Sequence, residues 1–225
     1  MPLDPQRILA ALVKAELTAK ARPAACRCVI TVSRRLGCGA AEVAGELAER
    51  LGLHYFDQEI LEAVARESHV DSWTFQRLDD EVRGMQSNWL RNLLGSQDAF
   101  KDAYYQALVA VILGIARTGG VIMGRGANLV LTGQPVFRLR IVGSLDACAA
   151  RVAKRESLDY AAARQRVLDS DARRDKFIRL LFGQNPEEPS IYDLTINSDH
   201  YGVEAMVDLT LEAVRSGDFA LIGRH

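Results

Sequence analysis

Residues 28–52 read CVITVSRRLGCGAAEVAGELAERLG. Cys28 to Val32 is a short apolar run rich in β-branched residues, which predicts a strand. Ser33 to Gly39 reads as a turn carrying two glycines. Ala40 to Arg50 predicts a helix, with Val43, Leu47 and Leu51 on one face, Ala44 and Ala48 beside them, and Gly52 where a C′ residue belongs. A strand, a glycine turn and a helix N-terminus together present a nest of backbone N–H groups at the positive end of a helix dipole, which binds phosphate. In the pattern G-x-x-x-x-G-K-[ST] a lysine would follow Gly39; here the residue is Ala40.

Working outward, Leu53 to Phe56 predicts a second strand ending at Asp57. From Gln58 to Arg117 the pattern is helical, broken at Asp71-Ser72 and Gly95-Ser96. Tyr104, Leu108, Val111, Ile112 and Ile115 form a long apolar stripe on the last of these helices. Val121 to Met123 predicts a third strand, followed by Arg125 between two glycines. Val136 to Gly143 predicts a fourth strand and Leu145 to Glu156 a helix. Asp159 to Leu181 reads as a charge-dense helix, "NPEEPS" as an exposed linker, Tyr192 to Asn197 as a fifth strand, and Val203 to Val214 as a closing amphipathic helix. Strands interleaved with helices predict an α/β domain built on a doubly wound parallel five-stranded sheet. The expected organisation is an N-terminal extension over 1–24 and one α/β domain over 25–225, with a helical segment over 58–118.

The 225 residues are 48% hydrophobic and 25% charged, with a formal net charge of -1. That balance predicts a globular chain and gives no overall basicity to draw nucleic acid or an anionic membrane. A phosphate site must therefore concentrate arginines locally. Four cysteines do not make a secreted disulfide framework. Cys26 and Cys28 lack a second pair at metal-ligand spacing and read as buried small hydrophobes. Cys38, at a helix N-terminus, reads as a small residue suited to a tight loop, with oxidation as the alternative. No secretory leader or membrane-spanning run is read, so a cytoplasmic location is expected. Pro5 to Leu17, with Leu9, Leu12, Val13 and Leu17 at helical spacing, reads as a helix that docks on the domain or on a second copy of the chain.

Four segments carry a family resemblance: "TVSRRLGCGAAEVAGELAERLGLHYFDQEIL", "VIMGRGANLVL", "SDARRDKF" and "YDLTINSD". Together, spanning roughly Val29 to Val214, they resemble the cytidylate-kinase-like proteins, in which a Ser-Arg-x-x-Gly-x-Gly segment stands where a conventional P-loop would be. The resemblance implies the P-loop nucleoside monophosphate kinase fold, with residues 58–118 as the helical monophosphate-binding segment and residues 159–185 as an arginine-bearing lid. It implies ATP as phosphoryl donor, Mg²⁺ as cofactor, and CMP or a related monophosphate as acceptor. The phosphate-binding loop would comprise Ser33, Arg34, Gly37, Cys38, Gly39, Ala40, Ala41 and Glu42. Asp57 and Arg125 would face the acceptor, and Arg173, Arg174, Lys176 and Arg179 would fall in the lid.

The departures from the cytidylate kinases proper are specific. Ala40 stands for the lysine, Glu42 for the magnesium-binding threonine, and Met123 for an aspartate before the Gly-Arg pair. Arg34 and Arg35 are the replacement cations expected, with Arg34 and Arg174 the candidate catalytic residues. Glu42 reads equally as a residue satisfied by the helix dipole or as a metal contact, and Asp57 as a helix cap or an acceptor ligand. Most lid arginines read as helix-surface i,i+4 partners, with one or two touching phosphate. Two functions follow as expectations: Mg²⁺-dependent phosphoryl transfer to a nucleoside monophosphate, or nucleotide binding without turnover by a sensor on a kinase scaffold. No metal ligands are assigned.

Overall fold

The computed structural model describes residues 28–57, 103–217 and 219. The expected N-terminal helix and most of the helical segment over 58–118 lie outside the described residues. Five strands form one parallel sheet: β1 (Val29–Arg34), β2 (Tyr55–Phe56), β3 (Gly120–Met123), β4 (Phe137–Val142) and β5 (Leu194–Asn197). Their order is β2-β3-β1-β4-β5, so β1 sits at the centre, paired with β3 and β4. The helices described are α1 (Ala40–Leu51), α2 (Ala103–Thr118), α3 (Ala127–Val130), α4 (Leu145–Glu156), α5 (Tyr160–Phe182) and α6 (Val203–Ser216). This is the doubly wound five-stranded sheet that the alternation of apolar runs predicts.

The period-2 alternation of the strands divides the core in two. Ile30, Val32, Val121, Met123, Leu139, Ile141 and Ile196 pack with α1, α4, α6 and the first half of α5. Val29 and Ile122 face the other way, against α2, α3 and Phe182. Both faces are covered, as a parallel sheet requires. The buried residues of α1 are Ala40, Val43, Ala44, Leu47 and Ala48, which includes four of the face residues expected, while Leu51 is partly buried. In α2, Leu108, Val111, Ile112 and Ile115 are buried, matching the expected stripe. Helix ends follow local chemistry: Ser144 Oγ accepts from Ala147 N at 3.3 Å and Asp159 Oδ1 from Ala162 N at 2.9 Å, and left-handed Gly52 and Gly183 close α1 and α5.

One boundary differs in a way that matters. Ser33 and Arg34, expected in the turn, belong to β1, in register with Arg140 and Ile141 of β4. Neighbouring β4 is long enough to pair with them, so the strand continues and the turn shortens to 35–39. Arg34 is therefore fixed by the ladder of the central strand.

Candidate functional site

In sheets of this kind ligands bind beyond the carboxyl ends of the strands, where successive connections leave in opposite directions. Here that point lies between β1 and β3. The chain leaves β1 through the glycine loop to α1 on one face, and leaves β3 through Gly124-Arg125-Gly126 to α3 on the other.

The glycine loop carries two residues in the left-handed region. Gly37 and Gly39 are left-handed, at φ 82° and 78°, and Gly39 precedes the first turn of α1. A Cβ on Gly37 would stand 2.5 Å from the carbonyl oxygen of Cys148, so the loop rests directly on α4. Arg151 of α4 braces it from below, donating to Gly37 O at 3.2 Å and to Ser198 O at 2.7 Å. Among the described residues no backbone acceptor takes the N–H groups of Gly37, Cys38 or Gly39, so the loop suits an anionic group. The Cys38 side chain is buried, and burial raises its thiol to about 11, with the Ala40 and Arg35 amides pulling the other way. It is a buried small residue, as is Cys28. Ala40 is 2% exposed and belongs to the core on the α1 side, while Ala41 and Glu42 are exposed.

Arg34 turns from β1 toward β3: a Cβ on Gly124 would lie 3.3 Å from its Nη1. It makes no hydrogen bond or ion pair with the described residues. Burial, and then the nearby Arg174, depress its pKa, and Tyr55, Cys38 and Asp57 partly oppose this. Tyr55 is raised to about 12, chiefly by burial, with Asp57 and Glu42 adding to the shift and Arg34 resisting it. Arg34, Tyr55, Asp57 and Glu42 thus share one electrostatic neighbourhood at the end of β1 and β2.

Arg125 is left-handed at φ 53°, between left-handed Gly124 and Gly126. A non-glycine residue there costs about 1–2 kcal/mol, which the surroundings must hold in place. Its guanidinium lies 5.1 Å from the centre of the Phe177 ring of α5, and a Cβ on Gly126 would overlap Phe182 at 2.3 Å. Burial and Arg174 depress the Arg125 pKa too. Arg34, Arg125 and Arg174 come from three separate elements and line one cavity of about 340 Å³.

The lid residues separate. Arg174 is half-buried and donates to Asp171 Oδ1 at 3.0 Å. Arg173 is exposed but lines the same cavity. Lys176 and Arg179 are exposed and do not line it, which fits their reading as surface residues. Sequence reasoning missed the acidic partners and a strand arginine. Arg35 pairs with Asp175 at 3.0 Å and also with Glu187. Glu187 in turn takes Arg140 Nη2 at 2.6 Å. Arg140 is only 7% exposed, bonds the Pro186 carbonyl, and lies 5.1 Å from the Tyr192 ring centre. The signal was present in "VFRLRIV": two arginines two apart on a strand share a face, and a charge at such a position needs a built partner. Among the described residues no group of three His, Cys, Asp or Glu could hold a metal ion, and no helix is long and apolar enough to cross a membrane.

A parallel sheet in the order 2-3-1-4-5, with a glycine loop leading from its central strand into a helix, is the fold of the P-loop kinases. The chain belongs to the cytidylate kinase-like family, whose model matches residues 29–200. Among curated proteins it is similar to the cytidylate kinase of Methanopyrus kandleri, with 25% identity over 194 residues, covering 83% of this chain and 92% of that one. The cytidylate kinase of Methanocaldococcus jannaschii is 22% identical over 191 residues, covering 83% and 97%. A solved structure of an uncharacterized protein from Eubacterium ventriosum shares the fold, with a TM-score of 0.68 and 20% identity over 85% of this chain and 99% of that one.

Proposed function

We propose that this protein transfers the terminal phosphoryl group of ATP, with Mg²⁺, to CMP or a related nucleoside monophosphate. The family and fold are those of a nucleotide kinase. The observation that carries the finer reading is the convergence of Arg34, Arg125 and Arg174 on one cavity beside the glycine nest. Three guanidinium groups lining one cavity make it a positive site suited to an anionic ligand, although Arg174 already donates to Asp171. Phosphoryl transfer needs such a cluster, because its catalysis is positioning and charge neutralisation around the moving group.

In this reading the Gly37–Glu42 amides hold the donor phosphates, and Arg125 holds the acceptor phosphate through its planar fork. Arg34, fixed in β1, supplies the cation that Ala40 lacks, and Arg174 approaches from the lid. Mg²⁺, when bound, neutralises the donor phosphates. With no three-carboxylate cage among the described residues, it would rely on phosphate oxygens, with Glu42 or Asp57 as the protein ligand. Asp57 is also the carboxylate assigned to the acceptor.

A second reading, a nucleotide-binding sensor without turnover, is favoured by one observation: Ala40 stands where the pattern places a lysine, and it is packed into the core. The deciding experiment incubates the protein with ATP, Mg²⁺ and each of the four common nucleoside monophosphates, and detects diphosphate products. Product with CMP or a neighbour supports the kinase. Nucleotide binding without product from any acceptor supports the sensor.

A further inference from the structure

The cavity that Arg34, Arg125 and Arg174 share also holds a neutral group that phosphate binding does not use. Asn128 of α3 is 5% exposed and lines that cavity. Its Oδ1 lies 3.5 Å from Ser33 Oγ. Asn128 Nδ2 takes part in no hydrogen bond with the described residues and is not sealed off from the cavity, so a residue that is otherwise buried keeps one donor open there. A ligand that fills the cavity would have to pair with that donor. The position is rigid. Arg138 bonds the carbonyls of Asn128, Leu131 and Gln134 at 3.3–3.5 Å, gripping the turn from the sheet side. Ser33 is held in β1, paired with Arg140 of β4, and lines the same cavity as Tyr192, whose hydroxyl donates to Pro186 O at 2.9 Å.

We propose that Asn128 is a specificity-determining residue of the acceptor site, donating from Nδ2 to a neutral oxygen-bearing group of the acceptor, such as a base carbonyl or a sugar hydroxyl. The proposal rests on the acceptor being a nucleoside monophosphate, as in the kinase reading. The choice of a neutral oxygen follows from charge: the cavity already carries guanidinium groups for phosphate, and a carboxamide adds reach and direction without charge. A site built to hydrogen-bond a substrate group rejects analogues that lack it, because its own buried donor is then left unpaired.

The test is calorimetric titration of the full chain with inorganic phosphate, ribose 5-phosphate and the four nucleoside monophosphates, for the wild type, Asn128→Ala and Asn128→Leu. Asn128→Leu nearly keeps the shape and removes the donor without adding charge beside the arginines, so it separates loss of a contact from loss of packing. We expect both variants to weaken the best-bound monophosphate about ten- to a hundredfold, while inorganic phosphate binds within about twofold of wild type. Ribose 5-phosphate distinguishes the two oxygen sources: weakening there assigns a sugar hydroxyl, and no change assigns the base. Monophosphate affinity unchanged in both variants overturns the proposal, as does an equal loss for inorganic phosphate or a wild type that binds no monophosphate. A wild type that binds monophosphates without turning them over sinks the kinase reading alone and leaves the role of Asn128 measurable.

Discussion

Asp171 Oδ1 accepts the backbone N–H of Leu36 at 2.9 Å, joining α5 to the first part of the glycine loop across 135 positions of sequence. The same oxygen takes Arg174. The carboxyl is nevertheless raised above its usual 3.8, because burial outweighs the Leu36 amide, Arg35 and Arg174, which all pull it down. Between 3.8 and the raised value the folded chain holds a proton that the unfolded chain has released. The contribution of Asp171 to stability therefore falls as pH rises through that window, and its cost is fully present above it. Asp171→Asn, whose amide oxygen can still accept from Leu36, should melt higher than wild type at neutral pH. The difference should shrink on acidification. Melting curves from pH 3.5 to 7.5 check this, and a difference that grows toward acid contradicts it.

Gly37 and Gly39 have nearly the same φ but different surroundings, which predicts unequal costs for the same substitution. Gly39→Ala adds a Cβ whose nearest neighbour is the Met206 methyl at 3.8 Å, so only the left-handed backbone is penalised, by about 1–2 kcal/mol. Gly37→Ala adds a collision with the Cys148 carbonyl at 2.5 Å, raising the loss to about 2–4 kcal/mol. Urea denaturation of the two variants measures the gap directly.

The thiol of Cys38 should be inert in the folded protein. With its pKa pushed up to about 11 by burial, only about one molecule in a thousand carries the thiolate at pH 8, and the thiolate is the reactive form. Alkylation followed by peptide mass spectrometry should leave Cys38 unmodified in buffer and label it fully in denaturant. Rapid native labelling would show that the loop opens.

The frame of the fold was legible because its signals are local. Glycines at 37, 39 and 52, alternating apolar strands and the Leu108–Ile115 stripe each point to one structure without help from distant residues. The Gly-Arg-Gly segment announced itself for the same reason. What stayed hidden was whatever depends on contacts far along the chain. Ser33 and Arg34 read as turn because only β4, a hundred residues on, extends the strand. The partners of Arg35 and Arg140 lie about 140 and 47 positions away, in a helix and a linker that read as solvated surface. Asn128 looked like an ordinary residue of a short turn until the sheet supplied a cavity for it.

Restoring the lysine of the usual loop should not improve this protein. Ala40 is 2% exposed and packs into the core with Cys38 and Met206, so a long charged side chain there must displace apolar neighbours or bury its own charge. Ala40→Lys should lower stability by about 1–3 kcal/mol and leave turnover no higher than wild type. Differential scanning calorimetry beside an activity assay reads both.

Arg34 is proposed as the cation that replaces that lysine, and rapid-quench phosphoryl transfer from labelled ATP, comparing wild type with Arg34→Ala, tests this most directly. Loss of one charge contact to the moving phosphoryl group removes about 3–4 kcal/mol of transition-state stabilisation, so the rate should fall by about two to three orders of magnitude. Because Arg34 is desolvated and makes no ion pair with the described residues, the variant should melt no lower than wild type. Full activity in Arg34→Ala, with product forming at the wild-type rate, would contradict the account.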